Sequence, residues 1–340
     1  MVSGFLYTAG SRSVRVLRLI AFVLAGLAPL AHAEDACKQR GDLDTPYCDA
    51  NSNLVADLPT DPSKWKSPDP LMFAYAPVED PSIYERMFKP FTEYLAQCTG
   101  RRVAFFPVQS NTAEIEAMRT SRLHVAWFST GPTMFAVNVA GAVPFAVKGT
   151  EKGAPGYRLM AIVKSTSPYR KLSDLKDKKV AHTSPSSNSG HLAPVALFPA
   201  NGLVPGKDYK IIFTGKHDVS ILGVASGDYD AAAIASDVLD RLIAKGEVKQ
   251  KDIRVIYESQ RFPTETVAYA HDLEPKLRDQ MIKCFHDYRF TPEMRGNFDG
   301  ADRFVPVEYK KDFAVVRQVA ESAGEHFNRA AYDNFAKRKK

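Results

Sequence analysis

Residues 179–191 read KVAHTSPSSNSGH, and this stretch shows how the chain alternates between two kinds of element. Its first three residues predict a short strand, and the residues from Gly190 onward predict a helix. The same step from strand through a polar loop into helix recurs on both sides of it. Strands that alternate with helices predict an α/β architecture in which each lobe is a mostly parallel sheet flanked by helices.

The predicted elements fall into two sets, and the chain returns toward the first set after about residue 262. This order predicts two lobes hinged by crossing strands, near residues 164–166 and 262–265. The ligand site is then expected in the cleft, at the carboxyl ends of the strands. The expected divisions are lobe 1 at residues 68–164, lobe 2 at residues 165–262, and the lobe 1 return with C-terminal helices at residues 263–340.

Composition narrows the class of protein. The chain has 340 residues, with 45 Lys and Arg against 39 Asp and Glu, and 45% of its residues are hydrophobic. This balance excludes a disordered chain, a collagen-like repeat and a multi-span membrane protein. The length is sufficient for two lobes that each bury a core.

The first 33 residues have the pattern of a secretory signal peptide. Arg12, Arg15 and Arg18 precede a charge-free, mostly apolar run at residues 19–31, and cleavage is expected near Ala33. The run is shorter than the roughly 20 residues of a membrane span, so a membrane anchor is the less favoured alternative. Removing three arginines and no acid lowers the formal charge from +6 to +3. An exported, periplasmic protein without a nucleic-acid partner is therefore expected.

Export favours disulfide bonds, because all four cysteines follow the predicted cleavage site and would reach an oxidising compartment. We expect Cys37 to pair with Cys48 as a local clip, and Cys98 to pair with Cys284 as a long-range bond. Two free, buried cysteines are the alternative for the second pair. Residues 34–67 are polar and lack sustained periodicity, so they are expected to form an irregular extension held by the first pair.

The most informative polar segment is the loop within residues 183–191. Four consecutive hydroxyl or amide side chains, from Ser186 to Ser189, precede a helix start. The first N–H groups of a helix lack intrahelical partners, and the helix dipole places partial positive charge there. The loop therefore predicts an oxyanion site. Simple helix capping is the alternative, but it needs only one of these side chains.

Three further candidates stand at or near strand ends. His217 follows a strand within Thr214-Gly215-Lys216-His217-Asp218, and its protonation would strengthen a hydrogen bond to an anion. Asp237 follows the apolar strand that ends at Ala235, and Glu265 lies in the return crossing. Each residue taken singly also has an ordinary explanation. His217 would be a surface histidine, Asp237 a helix N-cap and Glu265 an exposed loop acid.

From about Leu71 to Ala323 the chain resembles the periplasmic phosphonate-binding components of phosphate/phosphite/phosphonate ABC transporters. The resemblance implies a two-lobed type II periplasmic binding protein that closes on its ligand. It rests on the order and spacing of several motifs: Tyr75-Ala76-Pro77, Val125-Ala126-Trp127-Phe128, Pro155-Gly156-Tyr157, Ser187-Asn188-Ser189-Gly190-His191, Lys216-His217-Asp218, Asp237 with Leu239-Asp240-Arg241-Leu242, and Pro263-Thr264-Glu265.

The resemblance also implies roles for individual residues. Ser187, Asn188 and Ser189 match the loop that holds the phosphonate oxygens, although the family often has Thr at the position of Asn188. His217 matches a phosphonate-contacting histidine, and Asp237 and Glu265 match the acids that receive an amine. The remaining candidates are Tyr157 as an aromatic wall, Trp127 at a strand end that lines the cleft, and Asn111 at a position that is often Tyr.

Charge complementarity favours 2-aminoethylphosphonate among possible ligands. This zwitterion is negative at phosphorus and positive at nitrogen. Two buried carboxylates without a cation would repel one another in a dry site. The ligand's ammonium would relieve that repulsion, provided that both acids face inward. Phosphite or another phosphonate is the alternative within the same class.

A secreted Ser/His/Asp hydrolase is the alternative from another class, although the chain has neither G-x-S-x-G nor H-E-x-x-H. No metal or cofactor is expected, since C-x-x-C, G-x-G-x-x-G and the P-loop motif are also absent from the sequence. We therefore expect a monomeric binder rather than an enzyme. Its expected partners are a small phosphonate and the permease of an ABC transporter in the inner membrane.

Overall fold

The structure is a computed structural model that describes Cys37, residues 39–77 and residues 81–337. From Cys37 onward the chain forms one compact unit. The predicted signal peptide lies outside the described residues. Within them, no helix combines the length and apolarity that a membrane crossing requires.

Within the described residues, eleven strands form two sheets. The first has six strands in the order β11-β4-β10-β3-β1-β2, and the second has five in the order β7-β6-β8-β5-β9. In chain order the strands are β1 (Leu71–Tyr75), β2 (Val103–Phe105), β3 (Val125–Phe128), β4 (Ala142–Gly149), β5 (Tyr157–Lys164), β6 (Lys179–His182), β7 (Lys210–Phe213), β8 (Ala231–Ala235), β9 (Ile253–Phe262), β10 (Thr266–Ala270) and β11 (Arg303–Pro306).

Helices flank both sheets. A π-helical turn at Asn188–Leu192 leads directly into the helix Ala193–Leu197, and the part of the chain that the structure describes has four short 3-10 turns. The α-helices are α1 (Pro81–Thr99), α2 (Asn111–Arg119), α3 (Thr130–Ala140), α4 (Ala193–Leu197), α5 (His217–Ser226), α6 (Ser236–Ala244), α7 (Pro275–Asp287), α8 (Pro292–Asn297), α9 (Tyr309–Asp312), α10 (Ala314–Ser322) and α11 (Arg329–Lys337). The 3-10 turns are Pro62–Lys64, Leu172–Leu175, Pro199–Asn201 and Gln250–Asp252.

Strand direction is mixed in both sheets. The prediction of a two-sheet α/β fold is confirmed, but only part of each sheet is parallel. Parallel pairs join β1 to β2 and β3, and β6 to β7 and β8. The antiparallel pairs include β4 with β10 and β5 with β9. In each of these pairs, one strand runs toward one crossing between the sheets and its partner strand runs away from the other crossing. The two strands therefore point in opposite directions.

The first crossing between the sheets comes earlier than predicted. Tyr157–Lys164, which the sequence assigned to lobe 1, pairs with β8 and β9 of the second sheet. The backbone N–H of Ser165 donates to the carbonyl of Asp252 at 2.8 Å, so the predicted hinge at residues 164–166 lies at the far end of β5. The chain instead crosses at residues 150–156 and returns at residues 263–265. The lobe divisions themselves stay a prediction.

The core of the first sheet is split by the alternation of its strands. Phe73 and Trp127 face an aromatic cluster with α1, while Ala126 and Phe128 belong to the core on the opposite face. Each large side chain fully removed from water contributes about 1.5–3 kcal/mol. The predicted disulfide between Cys98 and Cys284 is confirmed and joins α1 to α7 across this cluster.

The N-terminal extension packs on the first sheet's side of the molecule. The predicted clip between Cys37 and Cys48 is confirmed, with their Cα atoms 5.4 Å apart. Tyr47 is buried and its ring packs on His271. Asp44 forms an ion pair with Arg329 of α11 at 3.0 Å. Apart from one 3-10 turn, the described residues up to 65 are irregular, as the sequence predicts.

Candidate functional site

Seven of the nine predicted site residues line a single cavity between the two sheets. It measures about 20 Å³, which is room for a water-sized group. Residues from both sheets and from the return crossing meet there. The cavity is lined by Ser129, Thr130, Tyr157, Ser187, Asn188, Ser189, His217, Ala235, Asp237, Val238 and Glu265.

A larger and more open depression lies elsewhere, beside the crossing segments. It measures about 980 Å³ and is bordered by Gly153, Pro155, Arg261 and Arg303 among others. None of the predicted site residues borders it. The small cavity, and not this depression, therefore collects the polar groups that the sequence singled out.

One end of the cavity presents neutral hydrogen-bonding groups from the 186–189 loop. Ser187 caps the π-helical turn, because its Oγ accepts from the N–H of Gly190 at 3.1 Å. Asn188 Nδ2 donates to the Tyr157 hydroxyl at 3.0 Å. A Cβ at Gly190 would lie 1.8 Å from Thr183 Oγ1, so only glycine permits this tight turn. The loop thus fixes its side chains at the start of a helix, where backbone N–H groups lack intrahelical acceptors. We call this the donor end.

His217 joins the donor end as a neutral hydrogen-bond donor. The backbone N–H of Ala235 donates to His217 Nδ1 at 3.1 Å, so this nitrogen acts as an acceptor and carries no proton. The proton of the neutral ring then resides on Nε2, which lies 3.5 Å from Ser187 Oγ. Protonation of Nδ1 would break the bond from Ala235. His217 can therefore donate to an anion without becoming charged, unlike the charged donor considered from the sequence.

Tyr157 supplies a further hydroxyl at the same end. Burial raises the pKa of its phenol to about 12, although hydrogen bonds to Thr130, Asn188 and Ser189 act in the opposite direction. The hydroxyl therefore remains protonated at neutral pH. Thr130 Oγ1 also donates to the carbonyl of Pro263 at 2.9 Å, which ties the start of α3 to the return crossing.

Two acids, Asp237 and Glu265, also line the cavity, and both pair with a buried cation that the sequence did not predict. Lys148, on β4, is only 2% exposed. Its Nζ lies 3.3 Å from Asp237 Oδ2, 3.3 Å from Glu265 Oε2 and 3.6 Å from Asp299 Oδ2. The expectation that the two buried acids would require a ligand cation is therefore wrong in its simple form, because the protein supplies one. We call these four residues the acidic end.

The pKa values at the acidic end reflect this arrangement. Burial acts to lower the pKa of Lys148, but Glu265, Asp237 and Asp299 outweigh it and raise that pKa above its ordinary value. Burial acts to raise the pKa of Asp237, but Lys148 and Arg241 outweigh it and lower that pKa. Asp299 differs, because burial and the other two acids raise its pKa to about 6 despite Lys148. Asp237 and Asp299 are thus largely ionised at neutral pH.

The acidic end keeps an excess of negative charge. Arg241 also approaches Asp237, donating from Nη1 to its backbone carbonyl at 3.4 Å. Three carboxylates against Lys148 and Arg241 leave one negative charge uncompensated. Asp237 Oδ1 is buried and has no hydrogen-bond partner among the described residues. This oxygen belongs to a residue that lines the cavity.

Two predicted site residues do not line the cavity. Trp127 is fully buried against Tyr75, Phe298 and Phe304, because the alternation along β3 directs its ring into the aromatic core. The expectation that it lines the cleft is not met. Asn111 lies behind the cavity wall, with Nδ2 3.4 Å from Ser184 Oγ and Oδ1 3.4 Å from Ser129 Oγ.

The sequence contained signals for some of the residues that were missed. Lys148 is the only charge in the otherwise apolar strand β4, and a buried lysine requires a buried partner. Thr130 follows β3 and begins α3, which is the same strand-to-helix step as the loop before α4. Asp299 carries no such signal, since it lies in an irregular turn far along the chain.

The hydrogen bonds around His217 are opposite to those of a Ser/His/Asp hydrolase. A catalytic base accepts the serine proton on one ring nitrogen while a carboxylate orients the other. Here the nitrogen facing Ser187 carries the proton, and a backbone N–H faces the other. The geometry gives no support to the hydrolase alternative.

Comparison with protein families gives one match over most of the chain. The family described as the periplasmic substrate-binding protein of phosphonate ABC transporters matches residues 73–313. A phosphonates-binding periplasmic protein of Escherichia coli is 28% identical over 256 residues, which are 74% of this chain and 75% of that protein. A phosphate-import protein of Mycolicibacterium smegmatis is 29% identical over 231 residues, covering 64% and 71% of the two chains.

Solved structures share the fold. A binding-protein component of a phosphonate ABC transporter from Pseudomonas aeruginosa superposes with a TM-score of 0.64 at 20% identity, covering 81% of this chain and 100% of that one. A protein of Prochlorococcus marinus in complex with methylphosphonate gives 0.68 at 18% identity, with coverages of 76% and 100%. At these identities the similarity establishes the two-lobed periplasmic binding protein fold alone.

Proposed function

We propose that this chain, which belongs to the family of periplasmic substrate-binding proteins of phosphonate ABC transporters, binds 2-aminoethylphosphonate. Membership of the family makes it a periplasmic phosphonate- or phosphate-binding component of an ABC importer and not an enzyme. The proposal concerns the identity of the ligand and the residues that hold it.

The observation that carries the proposal is the unpaired Oδ1 of Asp237. A buried carboxylate oxygen without a donor costs about 1–3 kcal/mol. Lys148 does not supply the missing donor, because it donates to the other carboxylate oxygen of Asp237, Oδ2, and its remaining ion pairs are with Glu265 and Asp299. A ligand ammonium does, and the excess negative charge at this end attracts it.

The donor end suits the other half of the same ligand. Ser187, Ser189, Tyr157 and His217 offer neutral O–H and N–H groups to a phosphorus oxyanion. Charge-assisted hydrogen bonds of this kind contribute about 1.5–3 kcal/mol each. Because neutral donors and two acids line the same cavity, the headgroup and the ammonium of the zwitterion each have complementary groups there. Methylphosphonate would fill the donor end but leave Asp237 Oδ1 unpaired.

A ligand without an amine is the second candidate, and Lys148 is the observation that favours it. The acids are already largely compensated, so phosphite, phosphate or a neutral-tailed phosphonate would not face two bare carboxylates. The relatives are consistent with either class, since one is described as a phosphonate-binding protein and another as a phosphate-import protein.

Entry of any of these ligands requires the lobes to separate, since the cavity is close to the size of one water molecule. We place the hinge at the two crossings, residues 150–156 and 263–265. Closure then removes water from the oxyanion and brings the surfaces of both lobes together for the permease.

Isothermal titration calorimetry of the wild-type protein and Asp237→Asn tests the ligand assignment. We expect wild type to bind 2-aminoethylphosphonate about 10-fold or more tighter than methylphosphonate, phosphite and phosphate. Asp237→Asn should lose most of that preference while changing methylphosphonate affinity little. Asp240→Asn is the matched control, because it removes an acid from the same helix outside the cavity. Tighter wild-type binding of phosphite or methylphosphonate contradicts the proposal.

A further inference from the structure

Lys148 holds the acidic end together from the protein side. Its Nζ contacts Asp237 and Glu265, which line the cavity, but Lys148 itself does not line it. The side chain comes from β4 of the first sheet, whereas Asp237 lies on α6 beside the second sheet. The ammonium therefore pairs with the two acids without bordering the cavity that they line.

A ligand ammonium at the acidic end must share these carboxylates with Lys148. Two ammonium groups a few ångströms apart repel each other, and the repulsion is strong in a site that contains little water. A neutral ligand tail experiences no such repulsion. Lys148 thus weakens binding of an amine-bearing ligand relative to a neutral-tailed one.

We infer that Lys148 is a specificity-determining residue, which limits the preference for amine-bearing phosphonates and so widens the range of phosphonates that the protein accepts. The inference rests on the proposed function, since it requires the ligand tail to face Asp237 and Glu265. It assigns Lys148 no direct contact with the phosphorus headgroup.

The informative variant removes one charge of each sign. Lys148→Met alone leaves three carboxylates against Arg241, and an uncompensated buried acid is strongly destabilising. Lys148→Met combined with Asp299→Asn keeps the excess at one negative charge and leaves the position between Asp237 and Glu265 to the ligand ammonium. Asp299 has a positive φ of 53°, a conformation that Asn also tolerates.

The measured quantity is the ratio of the dissociation constants of methylphosphonate and 2-aminoethylphosphonate, obtained by calorimetry. We expect this ratio to rise about 10-fold in the double variant relative to wild type, through tighter binding of the amine ligand. Asp299→Asn alone, which keeps Lys148, is the matched control and should not raise the ratio. The single variant Lys148→Met, where it folds, should raise the ratio at least as far.

A merely structural role for Lys148 predicts a different result. Loss of the ion pairs would then weaken both ligands equally, or neither, and an unchanged ratio in the folded double variant overturns the inference. The wild-type ratio separately tests the proposed ligand. A wild type without amine preference whose double variant acquires one contradicts the proposed ligand but supports the role of Lys148. If wild type prefers the amine-bearing ligand and the ratio does not rise further in the double variant, the result supports the proposed ligand but contradicts the role of Lys148.

Discussion

The donor end and the acidic end of the cavity are built in different ways. The donor end comes largely from three consecutive residues, Ser187 to Ser189, supported by single residues such as Tyr157 and His217. The acidic end is assembled from four separate segments, with Lys148, Asp237, Glu265 and Asp299 spread over some 150 residues. The donor end uses neutral groups, whereas the acidic end depends on a balance of opposite charges.

The difference implies different roles in recognition. In the proposed complex the neutral donors contact the headgroup that every phosphorus oxyanion shares, so their loss should weaken all ligands alike. The charge balance near the proposed tail position should discriminate between ligands and leave the shared headgroup untouched. The calorimetric ratios proposed for Asp237 and Lys148 probe the second role, and the substitutions below probe the first role and the limits of the distinction.

The largest effect is expected from Gly131→Ala. Gly131 lies in the first turn of α3, and a Cβ there would lie 2.1 Å from the Ser186 carbonyl oxygen and 2.9 Å from the Asn188 nitrogen. Both are backbone atoms of the 186–189 loop, so the added methyl must push the two lobes apart. We expect affinity for every phosphorus ligand to fall about 100-fold or more, as measured by calorimetry.

Gly296→Ala is the matched control for this change. It is also a helical glycine, in α8, but a Cβ there meets nothing within 4 Å. The affinity of Gly296→Ala for the phosphorus ligands should equal that of wild type. Small-angle scattering should show that wild type contracts when ligand is added and that Gly131→Ala does not. Full affinity in Gly131→Ala would contradict both the close approach and the proposed closure.

Ser187→Ala should give a smaller loss that is equal for all ligands. The substitution removes a hydroxyl at the cavity and the cap that accepts from Gly190 at 3.1 Å. We expect about a 10-fold loss for 2-aminoethylphosphonate and for methylphosphonate alike. Ser110→Ala is the control, since Ser110 caps α2 by the same bond to Ala113 away from the cavity. Unequal losses for the two ligands would break the division of roles between the two ends.

The smallest expected effect is on stability, from Asp299→Asn. The pKa of Asp299 is raised to about 6 in the folded protein, against about 4 in an unfolded chain. Between these values the folded state binds more protons, so wild type loses stability as pH rises through this range. The variant lacks this loss. We expect its melting temperature to exceed that of wild type by about 2 °C at pH 8 and to match it near pH 4.

Asp302→Asn is the comparison variant, because the pKa of Asp302 is shifted in the opposite direction to that of Asp299. The Arg303 guanidinium lowers the pKa of Asp302, so its contribution to stability is present above the ordinary value and lost as pH falls. This variant should melt at or below the wild-type temperature at pH 8. Thermal unfolding followed by circular dichroism across the pH range distinguishes the two. If Asp299→Asn melts below wild type at pH 8, the stabilisation from the ion pair between Asp299 and Lys148 exceeds the cost of burying the Asp299 carboxylate.

Local patterns in the sequence were sufficient for most of the fold. Apolar residues recur at every fourth position at 83, 87, 91 and 95 and predict the helix α1, and the apolar run at residues 125–128 predicts β3. Both patterns involve only residues close together in the sequence. Local patterns did not predict the direction of the strands or the position of the first crossing. Nothing local distinguishes β5 as a member of the second sheet, since its partners are Ala231–Ala235 and Ile253–Phe262.

The same contrast applies to the site. The crowding of hydroxyl and amide groups in the 186–189 loop is visible in the sequence, and the structure places that loop in the cavity. The pairing of Lys148 with Asp299 is not visible, because 150 residues separate them and only the folded chain brings them to 3.6 Å. Trp127 shows the opposite error, since its strand was located correctly but the side of the sheet it faces was not.

The long-range disulfide has a further consequence for how the protein survives outside the cytoplasm. Cys98 and Cys284 are 186 residues apart, and the whole second sheet and both crossings lie between them. That part of the polypeptide is a covalently closed ring. A single cut by a protease in any loop of the ring opens it without releasing a fragment, so the two halves of the ligand site stay tethered to each other.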